Sequence, residues 1–280
     1  MSYLEFYKLK EQPFTNTVDT KFYYNSVQHS EALLRLKHAI NTMKGLAVLV
    51  GSIGTGKTTL ARRMLDELNE KEYESALLVI IHANITPEWL LKKIITQLGV
   101  EELPEDKTEL LSRLCKRLIE IHEEGKKAVV LIDEAQMLQT KELMEEFRGI
   151  LNIETDGNKL ITFVLFGMPE LDACLSLDEP LRQRIAMRYK LQSFEESTTE
   201  EYIKFRLKIA GCSSELFTKD ALEAVHNYSH GIPRLINTIC DNSLLEGFLR
   251  KKLRIDASII KEVVNDLGLT NNNKAAVKQN

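Results

Sequence analysis

Eight consecutive residues constrain this chain more than any other feature: Gly51-Ser-Ile-Gly-Thr-Gly-Lys-Thr58 satisfies the pattern G-x-x-x-x-G-K-[ST] without a departure. The pattern carries meaning only between a strand and a helix, and both are legible. Residues 46–50 form a short run of leucine, alanine and valine, while Leu60, Met64, Leu65 and Leu68 recur at helical spacing. Between them Gly51, Gly54 and Gly56 can adopt backbone angles closed to other residues. The N–H groups of the loop, Gly51, Ser52, Ile53, Gly54, Thr55 and Gly56, can then turn inward around phosphate oxygens at the positive end of the next helix. Lys57 is expected to reach the β and γ phosphates, Thr58 to place its hydroxyl on Mg²⁺, and Thr59 to add a neighbouring hydroxyl in the first turn. A glycine-rich joint with no ligand would not need the complete match. ATP and Mg²⁺ are the expected ligands.

The same alternation of strand and helix continues. An amphipathic helix over 26–43, with Leu33, Leu36, Ile40 and Met43 on one face, precedes the loop and is closed by Gly45. Residues 77–81 read as a buried strand. Thr86 and Pro87 then supply an N-cap and a proline at the first helical position, ahead of the apolar face Leu90, Leu91, Ile94, Ile95 and Leu98. A helix over 108–124 ends at Gly125, 128–132 is a wholly apolar strand, 141–152 is helical, 155–158 is a turn, and 160–166 is a fourth strand. Apolar strands that alternate with helices predict a parallel sheet covered on both faces. Beyond Phe194 the pattern is helical alone, over 199–209, 218–228, 233–249 and 257–267. The expected organisation is therefore an N-terminal segment and first helix (1–45), an α/β domain (46–193), a small all-α domain (194–269) and a polar, disordered tail (270–280).

Composition excludes several classes. Of 280 residues, 44% are hydrophobic and 28% charged, as in an ordinary globular protein. The formal charge of −4 provides no global positive field for nucleic acid, although a local patch remains open; Arg250, Lys251, Lys252 and Arg254 form the clearest basic cluster, at a helix end whose dipole alone favours cations. Four cysteines (Cys115, Cys174, Cys212, Cys240) contain no C-x-x-C pair and are expected to be reduced. The six histidines have no metal-ligand spacing, and Trp89 reads as core. The longest apolar stretch, 160–168, is strand-sized, and residues 1–12 carry charges where a signal peptide would be apolar. A cytoplasmic chain without direct membrane insertion is expected.

The strand over 128–132 ends in Asp133 and Glu134. A carboxylate at the exit of a neighbouring strand can orient a magnesium ion, and the next one can face the water that attacks the γ phosphate. Asp133 is assigned to Mg²⁺ and Glu134 to that water. The alternative, two acids that cap the following helix, loses weight beside the phosphate loop.

Together these residues resemble the AAA+ ATPases, in particular the ExeA/GspA type of type II secretion and its MshM-like pilus and TnsC-like transposition relatives. The supporting stretches are Tyr7-Lys-Leu-Lys-Glu-Gln-Pro13-Phe14 with Asp19, Phe22 and Tyr24; Gly167-Met-Pro-Glu-Leu171; Leu181-Arg-Gln-Arg-Ile185; and Gly231-Ile-Pro-Arg234. The resemblance runs from about Tyr3 to Leu269. It implies a helical lid after the α/β domain, with Arg234 as the sensor 2 arginine, and Arg184, or else Arg182 or Arg188, as an arginine finger presented to a neighbouring subunit. Where the family often has glutamine for sensor 1 this chain has Met168, which offers no comparable hydrogen bond. Asn84 is either a partner that reorients Glu134 or a turn residue, and Pro13, Phe14 and Tyr24 pack either beside the adenine or against the first helix. The resemblance further implies an ATP-dependent homo-oligomer. Full-length secretion relatives often continue into a membrane segment and a peptidoglycan-binding domain; this sequence contains neither, so a membrane-protein partner is expected to supply the link, peripherally at the inner membrane. The first expectation is a motor or switch in secretion or pilus assembly. A DNA-binding transposition regulator is the second, and a non-hydrolysing scaffold the third, disfavoured because Lys57, Asp133 and Glu134 are all present.

Overall fold

The computed structural model describes residues 2–17, 19–155, 157–212 and 214–269. The expectation of a disordered tail over 270–280 lies outside them. Two compact units emerge, one of Val27–Ile53 and Lys57–Gln192, the other of Met1–Ser26, Gly54–Gly56 and Ser193–Asn280. The segment expected to run from 1 to 45 is thus divided at Ser26, and its first part groups with the C-terminal helices.

The first unit is built on seven strands: β1 (Leu46–Gly51), β2 (Tyr73–Val79), β3 (Lys127–Asp133), β4 (Glu154–Thr155), β5 (Asn158–Lys159), β6 (Ile161–Gly167) and β7 (Ile185–Leu191). Five form a sheet in the order β2-β3-β6-β1-β7, parallel at every junction, while β4 and β5 make a minimal antiparallel hairpin. The central strands β1, β3 and β6 are buried along nearly their whole length, as parallel strands covered on both faces must be.

Two expectations need correction, and both concern sheet edges. β2 begins at Tyr73 instead of residue 77 and ends at Val79, leaving Ile81 exposed in the following loop. β7 was not anticipated. Its sequence Ile-Ala-Met-Arg-Tyr-Lys-Leu alternates between partly covered and exposed side chains, the period-two signal of a strand with one solvated face. Edge strands bury less and so need no continuous apolar run.

Helices Val27–Asn41, Lys57–Glu67, Pro87–Gln97, Lys107–Glu123 and Lys141–Ile150 flank this sheet and bury Leu36, Ile40, Leu60, Met64, Leu90, Leu114 and Phe147. Phe147 meets Phe163 of β6 edge to face, with centroids 5.0 Å apart. Thr86 caps its helix as expected, its side chain accepting the Trp89 N–H, with Pro87 at the first position.

The second unit has its own core around Ile203, Ala221, Val225, Ile236, Ile239, Leu244, Ile259 and Ile260, contributed by helices Glu196–Ile209, Lys219–Ser229, Pro233–Leu249 and Ala257–Asp266. The N-terminal aromatics belong to this core: Phe14 packs on Phe217, and Tyr24 on Phe194, Tyr202 and Phe205. Within their own unit, Phe14 and Tyr24 are therefore part of the packing of the helical core. Arg206 ties the N-terminal segment to this unit, with its guanidinium over the Phe22 ring and hydrogen bonds to the Tyr202 hydroxyl and the Thr15 carbonyl. Gly231 is required sterically, since its φ is +70° and a Cβ there would lie 1.9 Å from the Phe194 carbonyl oxygen.

Among the described residues no helix is long and apolar enough to cross a membrane. All four cysteines are free; Cys174 and Cys240 are buried and Cys115 and Cys212 half-buried, and burial pushes the Cys240 thiol well up from its ordinary range.

Candidate nucleotide site

The loop from Gly51 leaves the C-terminal end of β1 and enters the helix Lys57–Glu67. Gly54 (φ +79°) and Gly56 (φ +101°) occupy the left-handed region that the sequence pattern anticipates. Within the unit that contains it, Gly54 is tightly covered: a Cβ would lie 2.8 Å from the Arg234 Cβ, and the Arg234 N–H donates to the Gly54 carbonyl at 3.3 Å. Arg234 stands at the second position of the helix Pro233–Leu249. Lys57 is buried, and its ammonium donates to the carbonyls of Gly51 (2.9 Å) and Ser52 (3.0 Å), folding back over the loop that it closes.

Asp133 ends β3. Although β6 separates β3 from β1 in the sheet, the Thr58 hydroxyl donates to Asp133 Oδ2 at 2.6 Å. The sequence-predicted magnesium pair is thus brought together. Burial raises the Asp133 carboxyl above its usual range, against the Thr58 hydroxyl and the Glu134 N–H, which favour the ionised form; the Glu134 charge raises it further and Lys57 opposes. Two hard oxygen donors suit a small divalent cation that keeps waters and phosphate oxygens as its other ligands. Elsewhere among the described residues, no three His, Cys, Asp or Glu side chains cluster as a metal site.

Glu134 follows in the left-handed conformation (φ 56°, ψ 35°), uncommon for a side-chain-bearing residue and costing about 1 kcal/mol or more. The turn lifts it out of strand geometry into the short 3-10 helix Ala135–Met137. Its carboxylate is met by Gln136, whose Nε2 donates to Glu134 Oε2 at 2.5 Å, while Gln136 Oε1 accepts the Met168 N–H at 3.0 Å. Sequence reasoning missed Gln136; the only signal was one amide amid the otherwise apolar residues 135–138. Asn84, weighed there as a Glu134 partner, is exposed in the loop after β2, and the side chain seen on Glu134 is that of Gln136.

The three arginines differ in their bonds. Arg182 is paired through two nitrogens with Glu179, and Arg188 on β7 is paired with Asp172. Arg184 instead donates to neutral acceptors, the Arg148 carbonyl (3.2 Å) and Asn152 Oδ1 (2.5 Å). Arg148 in turn pairs with the buried Asp178, which also caps the helix Glu179–Arg182.

A sequence model of the AAA domain family matches residues 40–175, a stretch that holds the phosphate loop, Asp133, Glu134 and Gln136. With that match and the five-stranded parallel order, the sheet unit has the fold of a P-loop AAA+ domain, in which Thr58 and Asp133 join the phosphate loop to the acidic end of β3. Among curated proteins it is 39% identical over 260 residues to General secretion pathway protein A of Aeromonas hydrophila, an alignment that covers 90% of this chain and 46% of that relative. The chain thus spans about half of that relative's length. Similar solved structures include an Aeropyrum pernix ORC2 protein (TM-score 0.66, 15% identity, 92% of this chain and 72% of that one) and the Drosophila ORC bound to DNA (TM-score 0.69, 18% identity, 95% and 66%). At those identities the likeness establishes the fold.

Proposed function

We propose that the chain is a Mg²⁺-dependent ATPase whose cycle drives a partner of a secretion or pilus assembly. The observation that carries the reading is the 2.6 Å bond from Thr58 to Asp133, which unites the phosphate loop with the acidic strand end, one residue from Glu134. In this reading the backbone N–H groups of Gly51, Ser52, Ile53, Gly54, Thr55 and Gly56 hold the phosphates, Thr59 adds a neighbouring hydroxyl, and the Lys57 ammonium turns from the loop carbonyls to the β and γ phosphates. Thr58 and Asp133 hold Mg²⁺, which when bound spreads the negative charge of the phosphates. Glu134 takes a proton from the attacking water. Arg234 contacts the γ phosphate as sensor 2. Arg184 acts as the finger on a neighbouring subunit, favoured over Arg182 and Arg188 because no carboxylate neutralises it by direct contact.

Support for a secretion role is the 39% identity to General secretion pathway protein A across 90% of this chain. A membrane-protein partner, a cytoplasmic location and ATP-dependent self-assembly belong to the same reading. The transposition-type alternative requires a positive surface for DNA. Each of three cations of the basic cluster is instead matched by an acid: Arg250 by Glu246 and Glu262, Lys252 by Asp256, and Arg254 by Glu215. That neutralisation favours a protein partner.

The test is light scattering of the Glu134→Gln protein with ATP and Mg²⁺, with and without double-stranded DNA, beside its turnover. The expected outcome is a drop in turnover of about 100-fold or more, with ATP binding retained and assembly on ATP alone. Assembly only on addition of DNA would replace the secretion reading by the transposition one, and undiminished turnover would remove Glu134 from the chemistry.

A further inference from the structure

Gln136 is required by none of the motifs above, yet it is 4% exposed and both ends of its amide are engaged. Its two partners belong to different strand exits. Glu134 follows β3, and Met168 follows β6, the strand that lies between β3 and β1. One amide therefore links the acid proposed to face water with the tip of the strand that separates the two nucleotide-binding strands. The fit is close on the β6 side, where a Cβ on Gly167 would lie 3.0 Å from Gln136 Oε1 and 2.9 Å from Leu171 Cδ2. The main chain of Gln136 is also held, its carbonyl accepting the Cys174 thiol at 3.5 Å. At Met168 only the backbone contributes, because a thioether has no hydrogen to donate and accepts weakly.

We propose that Gln136 is a positioning residue for ATP hydrolysis: its amide fixes the Glu134 carboxylate and ties that orientation to the backbone at the end of β6. The inference rests on the reading of Glu134 as the group that faces the attacking water. A glutamate side chain left unheld samples several rotamers, and misplacing a reacting group by about 1 Å can cost about 100-fold in rate. A single buried amide with one donor and one acceptor removes that freedom. It also supplies, from the turn after β3, the polar link to β6 for which the Met168 side chain has no suitable atom. A shift of the β6 tip would be transmitted to Glu134 through this amide.

The competing account is that Gln136 merely braces β3 to β6. Four variants of the whole chain separate the two: Gln136→Leu, Gln136→Glu, Glu134→Gln and the double variant Glu134→Gln/Gln136→Leu. Turnover, KM, affinity for a fluorescent ATP analogue and melting temperature are measured for each. The Gln136→Glu change preserves size and the acceptor for the Met168 N–H, replaces the donor that faces Glu134 by an acceptor and sets a second carboxylate beside it. Both Gln136 variants are expected to lose roughly 10- to 100-fold in kcat with analogue affinity changed less than about threefold. In the Glu134→Gln background, Gln136→Leu is expected to cause no further loss of turnover, as for two residues acting through one step. Wild-type kcat in Gln136→Glu would overturn the proposal, as would parallel losses of kcat, affinity and melting temperature in both. If Gln136→Leu does not fold, Gln136→Glu decides alone. Wild-type turnover in Glu134→Gln would remove the underlying assignment of Glu134 and the proposal with it, whereas an inert Glu134→Gln beside a fully active Gln136→Glu would remove the proposal only.

Discussion

The Thr58–Asp133 hydrogen bond is a sharp place to test the site at the scale of single residues, because the two positions are 75 residues apart and one hydroxyl joins them. Thr58→Val keeps the β-branched shape and removes the oxygen. Turnover is expected to fall at least about tenfold with a higher Mg²⁺ requirement, while Thr58→Ser, which keeps the hydroxyl, stays near the parent. A magnesium titration of the steady-state rate checks this, and an unchanged Thr58→Val curve would exclude the hydroxyl from the metal site. At this scale the residues legible in advance were those whose chemistry is written in consecutive positions: the loop from Gly51 to Thr58, and the pair Asp133 and Glu134. Gln136 was not, because its function depends on meeting Met168, 32 residues on, and nothing local marks that encounter. The arginines were half legible. Their number near the start of β7 could be read, but the acids that occupy Arg182 and Arg188, and the neutral acceptors that hold Arg184, are facts of the fold.

Helices and central strands were read well because burial on a fixed period leaves a pattern in the chain, and the parallel α/β sheet followed from that pattern. Both failures, the start of β2 and the whole of β7, fell on the two edges of the sheet, where Tyr73, Glu74, Arg188 and Lys190 can sit in strands without entering a core. Helix starts offer a test at the same scale. Asp256 caps the helix Ala257–Asp266 by accepting the N–H groups of Ser258 and Ile259 and the Ser258 hydroxyl, and Lys252 lies 2.9 Å away. The Ser258 hydroxyl first, then Lys252, hold its carboxyl well below the ordinary range. A depressed folded-state value means that the stabilisation is present above the unfolded value and is lost as pH falls through the folded one. Asp256→Asn, which keeps a capping oxygen but not the charge, is therefore expected to cost up to about 1 kcal/mol at neutral pH, with the gap to the parent narrowing in strongly acid solution. Urea unfolding at pH 7 and at successively lower pH measures it; a gap independent of pH would mean that the charge contributes nothing.

On the scale of the whole molecule, the chain contains two cores, and the N-terminal residues that precede the first helix of the sheet unit are spent on the other core, through Tyr7, Phe14 and Phe22. That pairing of chain ends was invisible in the sequence, where residues 1–45 read as one segment, because aromatic residues announce burial without naming what they bury against. The proposed assembly is where the site residues act beyond one copy. Arg184 lies on the sheet unit, ahead of β7, with its guanidinium on the Arg148 carbonyl and Asn152. If it completes the site of a neighbour, Arg184→Ala and Glu134→Gln are each expected to be nearly inactive, for different reasons: the first lacks a finger to give, the second lacks the group that faces water in its own site. Mixing the two populations creates interfaces in which an Arg184 from a Glu134→Gln subunit meets an intact Glu134 in an Arg184→Ala subunit. With random neighbours in equal mixture, about a quarter of the interfaces would have this composition, and a turnover well above either parent is expected. A finger acting within its own chain cannot be restored by mixing, so turnover equal to the average of the two separate proteins, in samples shown by light scattering to co-assemble, would place Arg184 in the site of its own chain.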